Sequence, residues 1–278
     1  MAVGINIKKA VECGQDNVKA RIMALYGESG IGKTYTSIPR KEQLNDGERV
    51  LYIQIEGKNP IPELMAKGID VSHVDVLDYG GVTYEEIRRF FEDEGNVTAY
   101  KYIVFDSATV LMRYMFNEIV AGTRGKRAVK TLTEEVQAEM ADYGAISEHM
   151  QRFIKSISRY VSKGVNFILI FQLGMNKKGV ECPMIVGNDL SDKLPYFLDI
   201  LGRVKAQPPR EVTVTDGNGN QKVIKEFVPP LVYFSSDALP MDIPFETRWG
   251  GTNPDHRYVP HKLDVAAIIK RSFEVVNK

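Results

Sequence analysis

The chain has one tryptophan, two cysteines and four histidines in 278 residues, and no surplus of charge of either sign. Cys13 and Cys182 are too few for a disulfide framework, which makes reducing cytoplasm the simplest setting. His73, His149, His256 and His261 show no metal-ligand spacing. Thirty-six basic residues balance thirty-six acidic ones, so bulk charge cannot hold the chain on nucleic acid and any basic patch must be local. The start, MAVGINIKKAVECG, contains no apolar run of signal-peptide length. The longest apolar stretch, around residues 165–171, is far too short to span a bilayer, so no membrane association is expected. What is present is ordinary globular composition, with 44% hydrophobic and 26% charged residues, which excludes a disordered or collagenous chain.

Short apolar runs alternate with helical patterns through the first two hundred residues. Residues 21–26 (RIMALY), 50–55 (VLYIQI), 74–77, 102–105 (YIVF) and 166–171 (NFILIF) are apolar without clean alternation. Parallel strands covered on both faces have that pattern. Thr83 with Glu86 three residues later is a capping box that opens a helix through Phe91. Residues 108–120 are the next helix. Ile146, Met150, Phe153, Ile154, Ile157 and Val161 recur at spacings of three and four, marking one face of a long helix. The alternation predicts an α/β fold with a mainly parallel central sheet flanked by helices. Residues 212–214 and 222–227 flank Asp216-Gly217-Asn218-Gly219, a hairpin signal, and residues 263–276 close with an amphipathic helical pattern. One domain is expected, with a core over about 18–210 and an extension over 211–278.

Gly27-Glu28-Ser29-Gly30-Ile31-Gly32-Lys33-Thr34 fits G-x-x-x-x-G-K-[ST] without deviation, and a strand enters it while a helical pattern leaves it. Glycines let successive backbone N–H groups curl round a phosphate, and the next helix aims its positive end at the same anion. Lys33 would reach the β- and γ-phosphates of a nucleotide and Thr34 would ligate Mg²⁺, with Tyr35 counted as a further contact. The motif does not name the reaction, since kinases, motors and switches share it.

Three strand ends carry further candidates. YIVF ends in Asp106, which can hold a Mg²⁺ shell through water if its strand lies beside the phosphate loop, or simply cap the next helix. VLYIQI ends in Glu56, either an exposed strand-end acid or a general base for an attacking water. NFILIF ends in Gln172, either an ordinary polar residue or an amide that touches the γ-phosphate or its water.

In that order, GESGIGKT, YIQIEG, YIVFDS, MADYGAISEHMQRFIKSI, ILIFQ and PMIVGNDLSDKLPYFLDILGRVKA resemble RecA-fold recombinase ATPases. They are most similar to the phage-encoded RecA-like proteins associated with single-strand annealing. The likeness covers roughly residues 20 to 210. It implies a RecA-like P-loop core, ATP hydrolysis between subunits of a ring or filament, and a bacterial host's cytoplasm. It implies Lys33 and Thr34 as phosphate and Mg²⁺ contacts, Asp106 as the Mg²⁺-site acid, Glu56 as base and Gln172 as sensor. It also implies single-stranded DNA contacts from loops after two core strands and association with a single-stranded-DNA-binding protein.

The first such loop is AGTRGKRAVK, with Arg124, Lys126, Arg127 and Lys130 and no acid. It reads either as a DNA contact or as a solvated charge run. The second follows Gln172 and holds Lys177 and Lys178. Arg203, Lys205 and Arg248 read either as cations acting on the γ-phosphate across a subunit interface or as plain surface charges. Two other functions stay open at this point: a nucleotide-dependent switch or assembly ATPase without a DNA role, and a P-loop kinase for a small metabolite.

Overall fold

The computed structural model describes residues 20–57, 59–78, 83–123, 140–186, 193–215, 221–226, 228, 230–234, 258–260 and 265–274. Each apolar run named above is a strand. They are β1 (Ile22–Gly27), β2 (Val50–Gln54), β3 (Val74–Asp78), β4 (Tyr102–Asp106) and β5 (Asn166–Met175). Alternate residues of one strand face opposite cores. Ile22, Ala24 and Tyr26 of β1 enter one core, while Met23 and Leu25 enter the other. That two-sided burial is why these strands show no polar alternation.

The helices are α1 (Lys33–Ser37), α2 (Ile61–Ala66), α3 (Tyr84–Glu92), α4 (Glu94–Thr98), α5 (Ala108–Thr123), α6 (Met140–Val161) and α7 (Val265–Glu274). The capping box at the start of α3 is formed in both directions: Thr83 accepts from the Glu86 backbone, and Glu86 accepts from the Thr83 backbone. The predicted stripe on α6 packs inward, with Ile146, Met150, Phe153, Ile154 and Ile157 buried and Val161 half-buried against them. Residues from α3, α5 and α6 fill one core, and residues from α1, α2 and α7 fill the other.

Six strands went unread or incompletely read in the sequence: β6 (Glu181–Pro183), β7 (Ile200–Lys205), β8 (Arg210–Thr215), β9 (Gln221–Glu226), β10 (Leu231–Tyr233) and β11 (Tyr258–Pro260). Strands β8 and β9 are the expected hairpin, a separate two-stranded antiparallel sheet whose turn lies outside the described residues. The main sheet runs β11-β10-β7-β1-β5-β4-β2-β3, with β6 paired antiparallel to the outer end of β5. From β7 to β3 every pairing is parallel, and β10 turns antiparallel against β7. All parallel strands therefore present their carboxyl ends at one edge.

Close packing at β7 leaves no room for a side chain at Gly202. A Cβ there would stand 2.7 Å from Val232 Cγ1 and 2.9 Å from Phe234 Cε1. Gly202→Ala is expected to lower unfolding free energy by about 2 kcal/mol through overpacking, read from urea denaturation.

Candidate functional site

The phosphate-loop sequence sits where β1 leaves the sheet. Gly30 and Gly32 have φ of 74° and 87°, a left-handed backbone that side chains with a Cβ resist. Helix α1 follows but spans only five residues, because Ile38 is driven to an extended conformation by Pro39 behind it. So short a helix contributes little dipole, and the loop's own N–H groups are the main anion-directed feature. Lys33 is buried, and its ammonium donates to the carbonyls of Gly27 at 2.9 Å and Glu28 at 2.6 Å, which closes the loop on itself. Burial lowers its pKa below the ordinary lysine value, opposed by the Asp106 and Glu56 carboxylates. Glu28, Ser29 and Gly30 are exposed, Ile31 is buried, and Tyr35 is half-buried with the Arg40 guanidinium 4.1 Å from its ring centre.

Asp106 reaches this loop by a route the sequence did not suggest. Strand β4 is not a neighbour of β1, because β5 lies between them. The contact forms because Asp106 follows Phe105 and so faces the side of the sheet on which α1 lies over β1 and β5. Thr34 Oγ1 donates to Asp106 Oδ2 at 2.5 Å. The Tyr52 hydroxyl, from β2, donates to the same oxygen at 2.6 Å. Burial raises the Asp106 pKa above the usual carboxylate range, while the two hydroxyls pull it down. Tyr52 is itself 1% exposed and its pKa is pushed far up, first by burial and then by Asp106. Sequence reading passed over Tyr52 as one more apolar strand residue; its hydroxyl was the available signal, since a buried tyrosine usually bonds through its OH.

The hydroxyl and the carboxylate are hard oxygen donors that could hold Mg²⁺. Among the described residues no group of three His, Cys, Asp or Glu could cage a metal by itself. A donor set this small suits an ion that keeps waters and phosphate oxygens as its remaining ligands.

Glu56 and Gln172 are brought together. Gln172 Nε2 donates to Glu56 Oε1 at 3.1 Å, joining β5, which runs three residues past the expected strand end at Gln172, to the residue two past the end of β2, across β4. The Glu56 and Ile55 amides both donate to the Asp106 carbonyl, at 3.3 and 2.7 Å, so the exposed acid is set by its backbone beside the buried one. Gln172 stands in register with Gly27, and its backbone N–H donates to Thr109 Oγ1 at 3.0 Å.

The remaining candidates divide. Lys177 and Lys178 are exposed in the turn between β5 and β6. Lys205 is half-buried at the end of β7. Arg203 is corrected: it is 0% exposed, its Nε donates to Glu181 at 2.8 Å, and it cannot act across a subunit boundary from there. Arg124, Lys126, Arg127, Lys130 and Arg248 lie outside the described residues. No described helix is long and apolar enough to cross a membrane.

Tyr52→Phe keeps the core volume but removes one of two hydroxyls from a buried carboxylate. It is expected to cost about 2 kcal/mol of unfolding free energy, measured by urea denaturation, and to weaken the Mg²⁺ dependence of nucleotide binding in a titration.

Residues 19–233 match the AAA domain family. The chain is also 21% identical over 235 residues to the DNA repair protein RadA of Aquifex aeolicus (strain VF5), an alignment covering 78% of this chain and 52% of that protein. The chain thus spans about half the length of the curated relative it matches. With most of its length inside the family's bounds and the loop, acid and strand order in place, the chain belongs to the AAA domain family, and its core is that of a P-loop ATPase of RecA-like type.

Proposed function

We propose that this chain hydrolyses ATP with Mg²⁺ at the carboxyl edge of its sheet and uses the cycle to bind single-stranded DNA in recombination or annealing of the phage type. One observation carries the hydrolytic part: Lys33, Thr34, Asp106, Glu56 and Gln172 converge from α1 and three neighbouring strands, with Thr34 on Asp106 and Gln172 on Glu56.

Lys33 and the loop N–H groups take the β- and γ-phosphates. Thr34 and, through water, Asp106 are the residues that would hold Mg²⁺, which when bound offsets phosphate charge. Glu56, exposed and steered by the Gln172 amide, accepts a proton from the attacking water. The water oxygen bonds to the γ-phosphorus, the bond to the β–γ bridging oxygen breaks, and ADP and phosphate leave. Gln172 feels loss of the terminal phosphate and passes the change to the turn bearing Lys177 and Lys178. That order of events would make DNA affinity follow nucleotide state. The name of the Aquifex relative, a DNA repair protein, favours a DNA role. So do the acid-free cations Arg124, Lys126, Arg127 and Lys130. A ring or filament of copies, and a single-stranded-DNA-binding protein as partner, complete the reading.

Two measurements test it. Lys33→Ala is expected to abolish turnover or nucleotide binding, whereas Glu56→Gln is expected to keep binding and lose turnover by about a hundredfold or more. Normal turnover by Glu56→Gln removes Glu56 as base. ATP turnover is expected to rise with single-stranded DNA, and neutralising Arg124, Lys126 and Arg127 together is expected to flatten the salt dependence of oligonucleotide binding by about two to three in log–log slope. An unchanged slope removes that segment from the DNA contact.

A further inference from the structure

Among the described residues Arg203 is the largest side chain that is fully buried, and its guanidinium sits beneath the first residue of the phosphate loop. It stands in register with Tyr26, the residue before Gly27, and its guanidinium lies 5.7 Å from the Tyr26 ring centre. A Cβ on Gly27 would meet Val204 O at 2.6 Å and Arg203 Nη1 at 3.1 Å, so the first loop residue rests directly on this guanidinium and its neighbour's carbonyl. The same Nη1 donates to Val204 O. On the other side, Arg203 Nε donates to Glu181 Oε2 at 2.8 Å, with Glu181 only 8% exposed, and Tyr26 OH donates to Glu181 O at 3.3 Å.

Glu181 opens β6, the return strand of the hairpin that begins at Gln172. It pairs across that hairpin with Met175. Both ends of the hairpin are thus tied to the nucleotide edge. The outgoing end is tied through Gln172 to Glu56 and the return end through Glu181 to Arg203. Strand β1, which feeds the loop, runs between these two ties, with Gln172 in register with Gly27 on one side and Arg203 in register with Tyr26 on the other.

A buried ion pair is a poor way to gain stability, because desolvation takes back much of the attraction and apolar residues of similar volume do as well or better. Its geometry is its distinctive property: a guanidinium fork fixes direction, and two arrangements of such a pair are discrete. We propose that Arg203 and Glu181 are positioning residues that couple the floor of the phosphate loop to the β5–β6 hairpin, so that nucleotide occupancy sets where the Lys177–Lys178 turn stands. This deepens the ATP-and-DNA reading above and rests on it for the role of the turn.

The test replaces both partners at once, Arg203→Met with Glu181→Met, which removes the charges and keeps the volume. Hydrogen exchange of residues 173–183 is followed in the full chain with and without a non-hydrolysable ATP analogue and Mg²⁺. Analogue affinity is measured alongside by fluorescence titration, and the affinity for a thymidine oligonucleotide is measured in both states. In the unaltered protein, hairpin exchange is expected to change by about tenfold on analogue binding; in the double variant, with the analogue raised to saturation as the titration reads it, the hairpin response disappears. Should the double variant not fold, Arg203→Gln with Glu181→Leu, which also breaks the Arg203–Glu181 bond and leaves an amide donor beside the Val204 carbonyl, is read the same way. A variant hairpin that responds like the unaltered one overturns the proposal, as does an unaltered hairpin that does not respond. Hairpin coupling that is lost in the variant, with no oligonucleotide bound in any state, upholds the coupling and rejects the DNA reading instead.

Discussion

A carboxylate held where water scarcely reaches organises the site. Asp106 is 8% exposed, and burial alone would press it toward its neutral form. Two hydroxyls converge on one of its oxygens, one from the helix after the phosphate loop and one from β2. Those bonds draw together a strand, its neighbour and a helix seated over β1 and β5. The arrangement sets an acid beside a loop shaped for anions, and the Mg²⁺ and nucleotide proposed above would lie between the two. The neighbouring acid is treated in the opposite way. Glu56 leaves the same edge exposed and is shared with an amide, so the acid two residues past β2 and the acid that ends β4 sit in opposite surroundings.

Much of this could be read from the chain because its signals were local. The phosphate loop is a contiguous motif, and the five apolar runs are strands within one to four residues of their expected ends. Thr83 and Glu86 are three residues apart and meet directly. What escaped depended on distance. The sequence could not say that β5 intervenes between β1 and β4, since pairing across more than sixty residues leaves no local mark. Strand β7 hides because Gly202 and Arg203 interrupt its apolar run. Gly202 is there for tight packing against Val232 and Phe234, and Arg203 is there because Glu181 waits for it in the fold. Strands β10 and β11, three residues each, are too short to carry a period.

The same logic explains why the arginine was misread and the tyrosine overlooked. A lone Arg after Gly reads as surface charge unless its acid partner, twenty-two residues earlier, is known to be buried with it. Tyr52 reads as bulk in VLYIQ, and only the register of β2 against β4, which sets Gln54 opposite Asp106 and Tyr52 opposite Val104, brings its hydroxyl within reach of the carboxylate.

The two layers that sandwich the sheet differ in build. On one side, a 22-residue helix and a knot of phenylalanines back the strands, with Phe91 in ring contact with Phe105, Phe153 and Phe167. On the other, Thr34 and Asp106 meet under helices of five, six and ten residues. Local opening is easiest where ordered segments are short, and among the described residues the helices of the second face are short. The Thr34–Asp106 contact lies on the face of the short helices, with the long helix and the phenylalanine cluster behind the same strands, so a ligand arriving at the phosphate loop meets small, separately ended elements before it meets the aromatic backing.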